Sequence, residues 1–162
     1  MATDINPKRS RIKTDNVRRL INAIKISVDP LLAGTLIDQE PLTHRGGPVA
    51  FSMSYYLLDT GHIPEPEIKR NLPKSCRSIA CIGGFCEILM HPAALYKIFP
   101  RMDPIMEFLG VTEQQAKAIV FAKQLRGRTD GQLSKIKPEQ AIAMLENLII
   151  TGKVKWPSLI RS

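Results

Sequence analysis

The sequence contains no apolar run close to the roughly 18 residues that a membrane-spanning helix requires. Its first residues, MATDINPKRSRIKTD, also lack the apolar core of a secretory signal peptide. These two absences argue against a membrane protein and against a secreted one. We therefore expect a cytoplasmic protein that makes no contact with membranes.

Paired cysteine motifs are absent as well. The chain has three cysteines, Cys76, Cys81 and Cys86, and none has the C-x-x-C spacing of structural zinc sites. Positions five residues apart lie about 140° apart around a helix, so these thiols and His91 do not share one helix face. We expect buried, reduced thiols and no metal or other cofactor. One alternative stays open, in which Cys76 is a reactive thiol whose pKa is lowered by Arg77.

Recognisable catalytic motifs are also missing. The chain has no phosphate-binding loop, no dinucleotide fingerprint and no HExxH zinc motif. Its histidines, His44, His62 and His91, fall in separate turn-like segments with no nucleophile motif beside them. We predict a non-enzymatic binding or accessory protein. The alternatives are a thiol- or metal-dependent enzyme and a structural oligomerisation module.

What the chain does have is positive charge at both ends. Its 23 Lys and Arg residues against 15 Asp and Glu residues give a net charge of +8. Residues 1–25 carry seven basic and two acidic residues (+5), residues 26–112 carry seven and nine (−2), and residues 113–162 carry nine and four (+5). This distribution is compatible with salt-dependent attraction to nucleic acid or to an acidic protein surface. It is equally compatible with a solvated surface that only keeps the protein soluble.

The cations that we expect to contact a polyanion lie near both ends of the chain. They are Lys8, Arg9, Arg11, Lys13, Arg18, Arg19, Lys117, Lys123, Arg126 and Arg128. Residues 1–13 have almost no apolar surface and are predicted to form a disordered basic arm. His44-Arg45-Gly46-Gly47 could also bind an anion, but a plain turn is the favoured interpretation of this sequence.

The apolar pattern of the remaining chain, residues 14–162, predicts a single, mainly α-helical domain of five or six helices. The clearest helix starts at Thr14 or Asp15, because apolar residues then recur at i, i+3, i+4 and i+7 until Asp29-Pro30 ends it. Residues 30–50 contain many Gly and Pro residues and are expected to form a loop or a short helical turn. Further helices are predicted over 103–108, over 112–123 and from Pro138 to Gly152.

The segment around the cysteines is predicted to form a buried central helix from Ile79 onward. The apolar residues that follow helical spacing there are Ile79, Ile82, Cys86 and Leu89. Gly83 and Gly84 each cost roughly 1 kcal/mol in a helix relative to alanine. We therefore expect another element to lie close against them. The predicted structural core residues are Cys76, Cys81, Gly83, Gly84, Phe85, Cys86 and Trp156.

The helices predicted over 103–108 and 112–123 are separated by Leu109-Gly110-Val111, which gives the outline of a helix-turn-helix. In that arrangement four cations could meet phosphates: Lys117, Lys123, Arg126 and Arg128. The first turn of the second helix carries no Arg or Asn that could read bases. Sequence-specific DNA recognition is therefore a weaker hypothesis than non-specific contact.

Five blocks of sequence, spread from residue 16 to residue 156, carry a family resemblance. They are residues 16–24, Phe51-Ser52-Met53, residues 76–84 with their C-x4-C-I-G-G pattern, residues 109–116 with L-G-V-T-x-x-Q-A, and residues 138–156 with the closing Trp156. This order of blocks resembles a group of short bacterial and phage proteins without an assigned activity. Ser52, Arg77, Gly83 and Phe85 depart from that pattern. The resemblance implies a helical fold and no particular reaction.

Overall fold

The computed structural model of the protein describes residues 11–34, 39–63, 76–122, 133 and 135–157. The α-helices in these ranges are α1 (Thr14–Val28), α2 (Ile82–Met90), α3 (Asp103–Leu109), α4 (Glu113–Phe121) and α5 (Pro138–Thr151). The β-strands are β1 (Thr43–His44), β2 (Gly47–Phe51), β3 (Leu57–Asp59) and β4 (Ser78–Ala80). Single turns of 3-10 helix cover Pro30–Leu32 and Thr60–His62.

The four strands form one small mixed sheet in the order β1-β2-β4-β3. β2 runs parallel to β4, whereas the β1–β2 and β3–β4 pairs are antiparallel. A single bridge between Leu57 and Lys97 adds one more backbone pairing beside β3. The prediction of a mainly α-helical fold is therefore wrong, because the chain combines its helices with a sheet and has a mixed α/β fold.

The sheet escaped prediction because its strands are only two to five residues long. Strands of this length have little room for apolar–polar alternation, and β2 begins with Gly47-Pro48, which is typical of loops. β4 is buried along its whole length, and its Ile79-Ala80 continues directly into the apolar residues of the predicted helix. The helix predicted from Ile79 consequently begins only at Ile82, after the strand.

α2 lies at the centre of the core, and its residues 82–88 are all buried. A Cβ atom on Gly84 would collide with the carbonyl oxygen of Tyr56 and would lie 2.6 Å from the Cβ atom of Ala80. A Cβ atom on Gly83 would collide with the ring of Tyr56 and lie 3.1 Å from Cδ1 of Ile105. The predicted close neighbour of the two glycines is confirmed, and it is the segment that precedes β3.

The helices pack around α2 and the sheet. α1 packs against α5, β2, α2 and α3. After α5 the chain returns to α4, where the Trp156 indole Nε1–H donates a hydrogen bond to the Ala118 carbonyl oxygen at 3.0 Å. All residues of the predicted structural core are buried: Cys76, Cys81, Gly83, Gly84, Phe85, Cys86 and Trp156.

The predicted helix ends are largely confirmed. α3 ends at Gly110 and α5 ends at Gly152, and both glycines adopt the left-handed conformation with φ angles of 72° and 70°. α4 begins with the predicted capping box, in which Thr112 and Gln115 each accept a hydrogen bond from the other's backbone N–H. None of the helices in the described ranges is long and apolar enough to cross a membrane.

The first described residues pack against the end of α3. The Lys13 N–H donates a hydrogen bond to the Leu109 carbonyl oxygen at 2.8 Å, and Ile12 is partly buried against the core. A Cβ atom on Gly110 would collide with the Arg11 carbonyl oxygen. Residues 11–13 of the predicted arm are thus in contact with the domain, while residues 1–10 lie outside the described ranges.

Candidate anion-binding site

Two of the cations predicted to contact a polyanion support the packing of α1 on α3. Lys13 Nζ donates a hydrogen bond to the Glu107 carbonyl oxygen at 2.8 Å, which satisfies one free carbonyl at the end of α3. The Arg19 guanidinium lies 5.6 Å from the centroid of the Phe108 ring. The structure therefore brings Lys13 and Arg19 together around the C-terminal end of α3.

Two others form ion pairs within their own helices. Arg18 lies 3.6 Å from the Asp15 carboxylate, and Lys117 lies 3.2 Å from the Glu113 carboxylate. Exposed pairs of this kind contribute less than about 1 kcal/mol and leave the cations accessible to solvent. Arg11 is exposed. The remaining members of the predicted set lie outside the described residues: Lys8, Arg9, Lys123, Arg126 and Arg128.

A different pair of arginines converges on one cavity of about 620 Å³, which we call the Arg45–Arg77 cavity. Its lining residues are Arg45, Asp59, Thr60, Gly61, Cys76, Arg77 and Tyr96. Both arginines are exposed, and neither forms an ion pair with any residue that the structure describes. Asp59 is the one carboxylate among the lining residues that the structure describes, and it accepts a hydrogen bond from the Gly61 N–H at 2.7 Å. The described part of the lining therefore carries more positive than negative charge, and the cavity volume is typical of ligand sites.

Arg45 occupies a strained position in the turn between β1 and β2. Because His44 pairs with Gly47, Arg45 and Gly46 form a two-residue hairpin turn. Their φ angles are 56° and 81°, and two positive values are characteristic of a type I′ turn. The preferred sequence for this turn is Asn-Gly, and an arginine in the left-handed conformation costs roughly 1 kcal/mol or more. Strain of this kind is concentrated at functional sites.

Tyr96 connects the two arginines. The Arg45 guanidinium carbon lies 5.4 Å from the centroid of the Tyr96 ring, and the Tyr96 hydroxyl lies 3.4 Å from the Arg77 carbonyl oxygen. The Thr60 N–H donates to the same carbonyl oxygen at 3.0 Å. The backbone of Arg77 is thus fixed by the segment after β3, and the side chain of Arg45 is fixed by the tyrosine ring.

A buried hydrogen-bonded chain behind the cavity holds Tyr96. Ser78 Oγ lies 3.1 Å from the Tyr96 hydroxyl and 2.6 Å from His44 Nδ1, and His44 Nε2 lies 2.5 Å from the Ala94 carbonyl oxygen. Because a carbonyl oxygen only accepts, we place the imidazole hydrogen on Nε2. In the neutral imidazole, Nδ1 then accepts from Ser78, and Ser78 accepts from Tyr96. His44 also packs edge-on against the Tyr96 ring, with the centroids 5.2 Å apart.

Ser78 and His44 have the geometry of a nucleophile and its base, but they are buried. Ser78 is 0% exposed and His44 is 2% exposed, so a substrate has no access to the Ser78 hydroxyl. The second imidazole nitrogen bonds to a backbone carbonyl rather than to a carboxylate, unlike the third member of a catalytic triad. The pair therefore positions Tyr96 in the cavity wall.

The three thiols are buried and protonated near neutral pH. Burial raises the pKa of Cys76, raises the pKa of Cys81 to about 11, and raises the pKa of Cys86 well above its ordinary value. The direction at Cys76 is opposite to the lowered pKa that a reactive thiol beside Arg77 would need. Within the described ranges, no group of three or more His, Cys, Asp or Glu residues is placed to hold a metal ion.

Neither Arg45 nor Arg77 belongs to the set of cations predicted from the sequence. A signal for Arg45 was present in His44-Arg45-Gly46-Gly47, which does form the turn that was favoured for it. Arg77 carried no such signal, because its place beside the cavity depends on the pairing of β4 with β3, and this pairing joins distant parts of the chain. The spacing of residues along the sequence does not show which distant side chains the strand pairing brings together.

Comparison of the chain with protein-family models, with curated proteins and with solved structures finds no match in any of the three. The resemblance to short bacterial and phage proteins therefore stays a prediction. Among the described residues, the Arg45–Arg77 cavity is the feature whose chemistry most clearly suits a ligand, because two guanidinium groups converge there.

Proposed function

We propose that this is a non-enzymatic binding protein that contacts nucleic acid through a backbone phosphate held at the Arg45–Arg77 cavity. The observation that carries the proposal is the convergence of two exposed guanidinium groups, without carboxylate partners in the described chain, on one cavity. Arginine presents a planar fork of N–H donors that matches the oxygens of a phosphate group.

The charge of the whole chain supports a polymeric anion as the partner. The net charge of +8 favours diffusional encounter with nucleic acid, because the long-range field attracts phosphates before specific contacts form. The exposed cations on α1 and α4 can add weak contacts along a polymer even though each has an intramolecular partner. A small anion would contact the cavity alone and would gain only long-range attraction from these distant charges.

The enzymatic alternatives have less support. The protonated, buried thiols are poor nucleophiles and poor metal ligands near neutral pH. The Ser78–His44 pair is inaccessible to a substrate. Binding of an anion requires only the exposed arginine side chains, which the structure provides without rearrangement.

The proposal is tested by fluorescence anisotropy with labelled single-stranded and duplex oligonucleotides over a series of salt concentrations. The variant Arg45→Asn/Arg77→Gln removes both guanidinium groups, and asparagine suits the turn at position 45. We expect this variant to bind at least about tenfold more weakly than the parent. We also expect its plot of log affinity against log salt to be shallower by roughly 0.7 to 0.9, the contribution of one phosphate contact.

The matched control is Arg18→Gln/Lys117→Gln, which removes two positive charges at sites that already have acidic partners. We expect this control to lose less than about threefold in affinity, because it changes the long-range field but not the cavity. Equal losses in the two double variants would mean that binding follows net charge alone. That result, or undetectable binding of the parent at low salt, would refute the proposal.

A further inference from the structure

The Arg45–Arg77 cavity contains one group that a phosphate does not explain, the carboxylate of Asp59. A carboxylate repels a phosphate, whereas it accepts hydrogen bonds from hydroxyl and amino groups. The cavity volume of about 620 Å³ lies in the range that holds a whole small molecule. The cavity therefore has room for a phosphate together with a neighbouring group that donates a hydrogen bond to Asp59.

Strand pairing places Asp59 beside Arg77. Asp59 is the last residue of β3 and pairs with Ser78 of β4, which follows Arg77 in the chain. The Thr60 N–H, one residue after Asp59, donates to the Arg77 carbonyl oxygen at 3.0 Å. The Asp59 carboxylate nevertheless forms no ion pair with either of the two described arginines. The carboxylate and the guanidinium groups thus reach the same cavity as separate binding groups.

One oxygen of the Asp59 carboxylate is engaged and the other is available. Oδ1 accepts the Gly61 N–H at 2.7 Å, and this local turn fixes the orientation of the side chain. Oδ2 has no hydrogen-bond or ion-pair partner among the residues that the structure describes. The neighbouring Thr60 hydroxyl donates to the Cys76 carbonyl oxygen at 3.0 Å and does not satisfy Oδ2. A ligand must therefore supply the donor for this oxygen.

Nucleic acids offer two kinds of donor, the ribose 2′-hydroxyl and the amino groups of the bases. The 2′-hydroxyl is bonded to the sugar carbon next to the one that bears the 3′-phosphate, so one short stretch of backbone presents both groups. Recognition of an unpaired base usually adds stacking on an aromatic ring. Tyr96 is the aromatic residue in the described lining, and Arg45 and His44 already pack against its ring. The described groups therefore suit the sugar–phosphate backbone better than a base.

We infer that the cavity selects RNA over DNA, because Asp59 accepts a hydrogen bond from the ribose 2′-hydroxyl while Arg45 and Arg77 hold the adjacent phosphate; this inference rests on the proposed function. Two arginines and one aspartate give the described lining a net charge of +1, which the single negative charge of a phosphodiester balances. DNA has no 2′-hydroxyl. It would leave Asp59 beside a phosphate, with no hydrogen bond to offset their repulsion.

The test is fluorescence anisotropy of the full chain with three labelled single strands of equal length: oligouridine, oligodeoxyuridine and 2′-fluoro oligouridine. The 2′-fluoro sugar keeps an RNA-like pucker but has no hydrogen to donate. We expect the parent to bind oligouridine at least about tenfold more tightly than either of the others, which is the effect of one hydrogen bond to a charged group. Oligocytidine, which adds a base amino group, should show the same dependence on the sugar.

The variant Asp59→Asn keeps an oxygen for the Gly61 N–H and replaces Oδ2 by an amide NH₂ group. A neutral amide bonds a hydroxyl more weakly than a carboxylate does, so we expect the preference for RNA to fall below about threefold. DNA affinity should stay the same or rise, because a negative charge is lost, and this binding verifies that the variant folds. The matched control is Asp29→Asn, outside the described lining, whose carboxylate accepts the Leu31 N–H in a similar turn. Asp29→Asn should keep the preference of the parent.

Equal affinity of the parent for the three sugars, or a preference for RNA that survives Asp59→Asn, would overturn the role of Asp59 and leave phosphate binding by the arginines intact. Tighter binding of cytosine than of uracil strands with either sugar would place a base amino group at Asp59 and would overturn it as well. The proposed function fails differently, because Arg45→Asn/Arg77→Gln would then bind every strand like the parent. Undetectable binding of all strands by the parent would refute both.

Discussion

The replacement Gly84→Ala tests the packing on which the fold depends. The added Cβ atom would collide with the Tyr56 carbonyl oxygen and would lie 2.6 Å from the Cβ atom of Ala80. The obstruction is backbone, so a change of rotamer does not relieve it. The Cys81 N–H, at the start of α2, donates to the carbonyl oxygens of Tyr55 and Tyr56 at 2.7 Å and 3.3 Å, and these bonds hold the segment in place.

The magnitude follows from two opposing effects of Gly84→Ala. Overpacking of a core costs typically about 1 to 3 kcal/mol, and a collision with fixed backbone belongs at the upper end of that range. Replacing glycine by alanine in a helix gains at most about 1 kcal/mol. We therefore expect the free energy of unfolding to fall by about 2 kcal/mol or more.

Urea unfolding followed by circular dichroism measures this change. Ala143→Gly, at an exposed position of α5, measures the helix-propensity effect alone and should cost about 1 kcal/mol. Gly83→Ala should cost less than Gly84→Ala, because its closest obstruction is the side-chain ring of Tyr56, which can shift. If Gly84→Ala were as stable as the parent, α2 would not be pressed against the segment before β3, and the packing argument would be wrong.

Two further predictions concern the turn and the thiols. Arg45→Asn should raise the free energy of unfolding by about 0.5 to 1 kcal/mol in urea unfolding, because Asn-Gly suits the type I′ turn that now strains an arginine; an unchanged or lower stability would contradict the assignment of strain. Burial raises the pKa of Cys81 from 9.0 to about 11, so the unfolded chain releases the thiol proton at a lower pH than the folded protein does. The stabilisation from the buried thiol is therefore fully present below pH 9 and is lost as the pH rises to 11. We expect the free energy of unfolding to fall by about 2 to 3 kcal/mol over this range. Cys81→Ser should fall less over the same pH range, and equal pH profiles would contradict the burial argument.

The helices could be predicted from the sequence because their signals are local. The period of apolar residues in α1, the Thr112–Gln115 capping box and the terminal glycines Gly110 and Gly152 act within a few positions of one another. The sheet could not be predicted in this way. Its strands are too short to show alternation, and the parallel pairing of β2 with β4 joins segments separated by the whole of β3.

In the candidate site, too, the local turn could be predicted from the sequence, whereas the contacts between distant segments could not. The turn at Arg45 was visible as His44-Arg45-Gly46-Gly47, but its importance depends on Tyr96 and Arg77, which reach the cavity through strand pairing. Net charge suggested a polyanion partner without locating the site. Four of the cations predicted to contact a polyanion interact with groups on α1, α3 or α4: Lys13, Arg18, Arg19 and Lys117. Arg11 is exposed, and the other predicted cations lie outside the described residues.

Phosphate binding at the Arg45–Arg77 cavity can be observed directly in a nuclear magnetic resonance titration of the arginine side-chain Nε–H signals with a short oligonucleotide. We predict that the signals of Arg45 and Arg77 shift first and saturate together, while those of Arg18 and Arg19 move little. Shifts confined to the arginines of α1, or no shift at Arg45 and Arg77 at saturation, would contradict the assignment of the Arg45–Arg77 cavity as the phosphate-binding site.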